Sequence, residues 1–213
     1  LQTDLAGLNY RGTLVCYVKA DAHGAADGSS WADAYTNLAT ALAGTPAAVE
    51  LWVATGTYRP GAARESAFFF NAGQAVYGGF TGTETRREQR NWYRYATVLS
   101  GDIGVLNTVT DNCYSVIRGA AGARVDGFTV TGGNANYKVN SGTVDELSQG
   151  LGGGVFVWTG NVIPSSNESL SFVVDHCQIV GNRAVRTAGP GTQGQGGGLF
   201  GCLVRNSLVR GNA

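Results

Sequence analysis

Three stretches of the sequence superpose without gaps: VDGFTVTGG at residues 125–133, VDHCQIVGN at 174–182 and VRNSLVRGN at 204–212. They recur after 49 and then 30 residues, and a second pair interleaves with them, GGGVFV at 152–157 and GGGLFG at 196–201. Two strand types therefore alternate, one for each side of a repeating coil. Self-similarity at intervals of about 20–50 residues marks a solenoid, in which each unit buries its apolar face only against its neighbours. Equivalent positions show what points inward. Val125, Val174 and Val204 form one stack, Phe128, Cys177 and Ser207 a second, and Val130, Ile179 and Val209 a third. Asp126, Asp175 and Arg205 fall beside the first stack and point outward, as strand periodicity requires. Gly132, Gly181 and Gly211 recur where a turn needs positive φ, and Asn182 and Asn212 are placed to ladder their amides from one coil to the next. The pattern predicts an all-β fold, a right-handed parallel β-helix (β-solenoid), with a polar insertion at about 134–150 accounting for the longer interval.

Composition agrees. The 213 residues suit one elongated unit, and 33 glycines with 43% hydrophobic residues fit turns and strands better than helices. Fifteen basic residues balance fifteen acidic ones, which removes the electrostatic attraction that nucleic acid or an anionic membrane would exploit. No apolar run approaches the roughly 18 residues of a membrane span, so membrane insertion is not expected. The chain opens at Leu1 without a signal-peptide pattern and contains no Met, as a processed segment would. Cys16, Cys113, Cys177 and Cys202 form no CxxC pair and sit among apolar residues, so they read as buried free thiols ahead of disulfides.

Upstream of the repeats, short β-type runs continue: ELWVATGTY (50–58), AFFF (67–70), QAVYGGF (74–80), ATVLSGDI (96–103) and CYSVIRG (113–119). SSWADAYTNLATALA breaks the pattern. Its Trp31, Tyr35, Leu38 and Leu42 recur at helical spacing, and Ser30 with Asp33 resembles a capping box, so an amphipathic helix is expected to cap the first coil. A shorter helix is expected at TETRREQRNW, capped by Thr85 and Glu88, with Arg86, Arg90, Glu84 and Glu88 on a solvated, salt-bridged face.

The segments CYVKADAHGAADGSSWADAYTNLATAL, ELWVATGTYRP, VYGGFTGTETRREQRNW, VLSGDI and VDGFTVTGGNA, with the GGG and GN repeats, resemble secreted bacterial right-handed parallel β-helix surface proteins of the pectin-lyase-like fold. The likeness runs from about Cys16 onward. It implies the fold strongly and the function weakly, because that fold carries polysaccharide lyases, glycosidases and adhesins alike. It also implies a secreted or cell-surface location in a bacterium.

Polysaccharide lyases of this fold pair Ca²⁺ or basic residues with a Lys or Arg base. Lysine occurs only at 19 and 138, which leaves the ladder Asp126, Asp175, Arg205 as the catalytic candidate, against a reading as a surface charge ladder relieved by an Asp175–Arg205 pair. A glycosidase needs two carboxyl groups at a set separation, and no spacing selects among Asp102, Asp111 and Asp126. Asp21 and Asp27 in DAHGAADG are the candidate Ca²⁺ ligands, although their spacing departs from the EF-hand loop and suits a plain turn; no other cofactor is called for. His23 and His176 read as turn or surface residues. Trp92, Tyr93, Tyr95 and Trp158 are candidates for stacking on sugars, and Asn167-Glu168-Ser169 is a formal glycosylation sequon.

The expected organisation is an arm at 1–13, a first strand with its capping helix at 14–49, and coils from 50 to 213 with the last incomplete. Leu203, Val204, Leu208 and Val209 then flank an open edge, and the arm's Leu5, Leu8 and Tyr10 are expected to add to that edge of a neighbouring copy, giving a homopolymer, against a reading of the sequence as a fragment of a longer surface protein. The expected function is a structural or adhesive β-solenoid, an extracellular filament subunit. A polysaccharide lyase, glycosidase or carbohydrate-binding module on the same fold is the alternative.

Overall fold

The computed structural model describes residues 14–136, 150–157, 170–185 and 196–213. These residues form parallel β-sheets with one α-helix. The first sheet places, side by side, β1 (Val15–Val18), β2 (Glu50–Ala54), β5 (Ala75–Phe80), β8 (Arg124–Asp126), β12 (Phe172–Asp175) and β16 (Cys202–Arg205). The second runs β3 (Gly56–Tyr58), β6 (Thr97–Ser100), β9 (Phe128–Thr131), β13 (Gln178–Val180), β17 (Leu208–Arg210). The third runs β4 (Phe68–Phe69), β7 (Ile117–Gly119), β11 (Val155–Val157), β15 (Leu199–Phe200), and a short pair joins β10 (Asn134–Ala135) to β14 (Arg183–Ala184). From β2 onward the chain visits first, second and third sheets in that order each time.

Three sheets replace the two strand types read from the repeats. The stretch at 125–130 is two strands rather than one, broken at Gly127, and its counterparts break at His176 and Asn206. All three corner residues have left-handed backbone, with φ of 83°, 48° and 43°. Glycine takes that conformation freely, and Asn and His are among the few other residues that do so at modest cost.

Register fixes two inward columns. In the first sheet Cys16, Leu51, Val76, Val125, Val174 and Val204 stand in line. In the second, Tyr58, Leu99, Val130, Ile179 and Val209 do the same. With Phe68, Ile117 and Val155 of the third sheet, the buried members of these columns share one apolar core. The stacks expected at Val125/Val174/Val204 and Val130/Ile179/Val209 are therefore present.

The helix is shorter and later than the sequence spacing suggests. α1 spans Leu38–Gly44, and its N-cap is Asn37, whose side chain accepts from the Thr40 N–H at 3.1 Å. Ser30 and Asp33 do bond reciprocally, at 2.8 and 3.0 Å, but they close a turn. Tyr35 instead pairs with the first strand, exchanging backbone bonds with Tyr17 and Lys19, because an extended backbone there satisfies the outer side of β1. Leu38, Ala41 and Leu42 are buried where α1 packs on β4, β1 and β2.

The amide ladder forms. Asn182 donates to Val130 O at 2.9 Å and to Asn212 Oδ1 at 3.1 Å, while its own Oδ1 accepts from Gly133 N–H at 3.0 Å. Asn134 and Ala135 pair with β14, and the longer interval is corrected: most of its extra length lies not at 134–150 but between β11 and β12, 14 residues apart where β15 and β16 are one residue apart. Leu5, Leu8, Tyr10, Lys138, Trp158 and the sequon at 167–169 lie outside the described residues. Among the described residues no helix is long and apolar enough to cross a membrane.

Two predictions follow from this packing. Asn182→Ala strips a buried amide from four partners and is expected to lower stability by about 2 kcal/mol in urea denaturation, with Asn212→Ala costing less. All four cysteines are free, and burial pushes the Cys113 and Cys177 thiols from 9.0 up to about 12. Between those values the folded state holds protons that the unfolded state has released. Stability is therefore full below pH 9.0 and falls as pH rises toward 12. Urea midpoints on either side of pH 9.0 check the sign.

Candidate functional site

Charge collects on the outward face of the first sheet. One outward column runs Tyr17, Trp52, Tyr77, Asp126, Asp175, Arg205, and the column beside it runs Val15, Glu50, Ala75, Arg124, Val173, Leu203. The aromatic end packs into a second apolar cluster with Phe80 and Trp31, where Trp52 stacks on Phe80 at 4.9 Å between centroids. Asp126 and Asp175, expected at the surface, are only 5% and 7% exposed. The segment from Glu84 to Tyr95 crosses this face, where Arg87 reaches Glu50 and Arg90 reaches Asp126.

That segment is anchored by arginines. Arg87 donates to Glu50 Oε1 at 2.7 Å. Arg90 donates to Asp126 Oδ1 at 2.7 Å and to the carbonyls of Asp126 and Gly78 at 3.1 Å each. Its guanidinium lies over the rings of Tyr77 and Trp92 at 5.2 and 4.7 Å. Backbone without side chains makes room for it: a Cβ on Gly127 would meet Arg90 Nη1 at 2.6 Å, and one on Gly79 would meet the Trp92 backbone at 2.6 Å. The expected helix here is a single 3₁₀ turn, Arg87–Gln89. Gln89, rather than Glu88, supplies its cap by accepting from the N–H groups of Thr85 and Arg86 at 2.9 Å. The salt-bridged solvent face expected of Arg90 and Glu84 is also corrected. The Arg90 side chain is 8% exposed, and the Glu84 carboxylate is turned onto the N–H groups of Thr81, Gly82 and Thr83.

Asp175 balances its charge through the neighbouring column: Arg124 donates to its Oδ2 at 2.7 Å, and Asn206 donates to its Oδ1 at 3.0 Å. His176 Nδ1 lies 3.1 Å from Asp175 Oδ1 and 3.4 Å from Asp126 Oδ1. Asp126, Asp175 and His176 thus offer ligand atoms within 4.8 Å of one another. Two guanidiniums already sit on those carboxylates, so a cation entering there must displace Arg90 or Arg124. The same pairing holds one oxygen of each carboxylate, Asp126 Oδ1 and Asp175 Oδ2, in a charged hydrogen bond. Arg205 stands in register with Asp175 and is exposed.

Beside the network lies a shallow groove of about 220 Å³, lined by Trp92, Tyr93, Thr129, Gln178, Asn206 and Leu208. Tyr93 is 91% exposed, and Trp92 packs on His176 at 4.5 Å. Among the expected Ca²⁺ ligands, Asp21 pairs with Lys19 at 3.6 Å, and Asp27 accepts from the Ser29 N–H at 2.9 Å in a local turn. Asp102 and Asp111 are drawn away from Asp126 into the loop between them, where they accept from Asn107 and Val105 N–H groups. Sequence reading missed Arg90, Arg124 and the role of His176. The signal for His176 was present, since the repeat alignment puts it at the corner held elsewhere by Gly127 and Asn206. Compared with protein-family models, with curated proteins and with solved structures, the chain matches none.

Arg90→Met leaves a buried carboxylate short of its counter-ion and is expected to cost about 3–5 kcal/mol in chemical denaturation. The double variant Arg90→Met with Asp126→Asn is expected to recover a substantial part of that loss, because the uncompensated charge is gone.

Proposed function

We propose that this chain is a stretch of right-handed parallel β-solenoid with a structural or adhesive role, secreted or displayed on a bacterial surface, in which copies associate through strand addition. The observation that carries the solenoid is the pair of inward columns, in which successive strands pair in parallel register and bury one another, with Val125, Val174, Val130 and Ile179 all at 0% exposure. Strand addition would extend that same parallel ladder to a second copy. Donor and acceptor surfaces differ, so the contact propagates as a filament. Leu5, Leu8 and Tyr10 are the proposed donor residues.

Sedimentation velocity over a concentration series, with negative-stain imaging, tests the assembly. The wild-type chain is expected to form filaments, and the charged variant Val204→Lys with Val209→Lys is expected to stay monomeric. A wild-type chain that stays monomeric throughout overturns the assembly.

A second reading, carbohydrate recognition, is favoured by the groove beside Trp92 and Tyr93, where the exposed Tyr93 ring adjoins the amides of Gln178 and Asn206. Binding is preferred to hydrolysis or elimination there, since Asp126 and Asp175 are committed to guanidiniums. Glycan-array binding without release of reducing ends supports the module; turnover that is lost in Asp175→Ala supports a lyase or glycosidase.

A further inference from the structure

Three buried oxygens in one neighbourhood lack a donor. They are Asp111 Oδ1, Asn112 Oδ1 and Asn134 Oδ1. Asp111 closes the 3₁₀ turn Val109–Asp111, Asn112 follows it as its C-cap, and Asn134 opens β10. These segments are tied together tightly. Asn134 N–H donates to Cys113 O at 2.8 Å, Asn134 Nδ2 donates to Val109 O at 2.8 Å, and Arg64 bonds both main chains, Nε to Asn112 O at 2.8 Å and Nη2 to Asn134 O at 3.2 Å. The bond to Val109 fixes which end of the Asn134 amide carries the oxygen. Asp111 Oδ2 is already used, accepting from Val105 N–H at 2.7 Å.

Asn112 and Asn134 are 6% and 2% exposed, so their oxygens have left bulk water. A buried polar atom without a partner costs about 1–3 kcal/mol, and native proteins rarely leave one unanswered. Here the deficit is entirely of acceptors. One water has two protons to donate and leaves one of three acceptors unanswered, whereas a single cation within reach of all three would answer the set.

We infer that Asp111, Asn112 and Asn134 bind Ca²⁺. The donor set is all oxygen, mixing one carboxylate with neutral amide carbonyls, which suits a hard cation of variable coordination. With a single formal charge among the ligands and the Arg64 guanidinium close by, the affinity belongs in the millimolar range of extracellular Ca²⁺ modules. Mg²⁺, which demands near-octahedral geometry and keeps its waters, is disfavoured. The site is separate from the Asp126, Asp175 and His176 cluster and does not depend on the proposed assembly.

Thermal unfolding of the whole chain, treated with EDTA and then titrated with CaCl₂, tests it. Wild type is expected to gain about 3–5 °C in Tm at roughly 10 mM CaCl₂, and markedly less with MgCl₂. Asp111→Asn keeps an oxygen for the Val105 N–H and puts an amide donor among the orphaned acceptors. It is expected to fold in EDTA at least as stably as wild type and to show no Ca²⁺ response. His176→Asn, at a corner where Asn206 already holds the same backbone, is expected to respond as wild type does. No shift in wild type, a response that survives in Asp111→Asn, or one that disappears in His176→Asn each overturns the assignment.

Discussion

The buried guanidinium of Arg90 is the constraint around which the outer side of the first sheet is organised. It answers one carboxylate and two carbonyls at the corner where the first sheet gives way to the second, and it lies over the rings of Tyr77 and Trp92. A planar, permanently charged group suits this position because it satisfies several acceptors in one plane while its faces pack against rings. Gly79 and Gly127 are the complement of that choice, since a side chain at either would occupy the space that Arg90 and Trp92 fill. The aromatic and charged halves of the outward column then meet at Tyr77 and Asp126, one residue on each side of the same ladder.

The inward columns impose a different kind of order. Each is built from residues in strict register, so the identity of a column depends on neighbouring strands only. This is why the core was readable from three short repeats. The valine and isoleucine positions were legible because burial demands the same residue type at every level. The corner was less so. Val125 and Phe128 both point inward although they are three positions apart, and a single strand alternates faces at every position. The left-handed residue between them reverses the phase, and the glycine, histidine and asparagine found there look unrelated until their shared backbone is seen.

The charged network was hidden for a related reason. Arg90 and Asp126 are 36 residues apart, and no local spacing links them. On composition alone, TETRREQRNW reads as solvated, because alternating charges usually are. What reverses the reading is docking: the segment lies over strands whose outward residues are themselves charged, so each charge finds its partner across the interface rather than along the chain. The helix start was misplaced by a comparable competition, with Tyr35 serving the edge of β1 before α1 begins.

The unequal spacing of the repeats has an architectural consequence. Val125 and Val174 are 49 residues apart and Val174 and Val204 only 30, yet all three occupy the same column. Lengthening a connection costs little, about 0.6 kcal/mol for each doubling, while the column is indifferent to the detour. The connection from β11 to β12 takes 14 residues where the equivalent step from β15 to β16 takes one, so this is where sequence can be gained, lost or exchanged without disturbing the stack. The stack is a fixed frame there, and a designer has a site for grafting foreign loops.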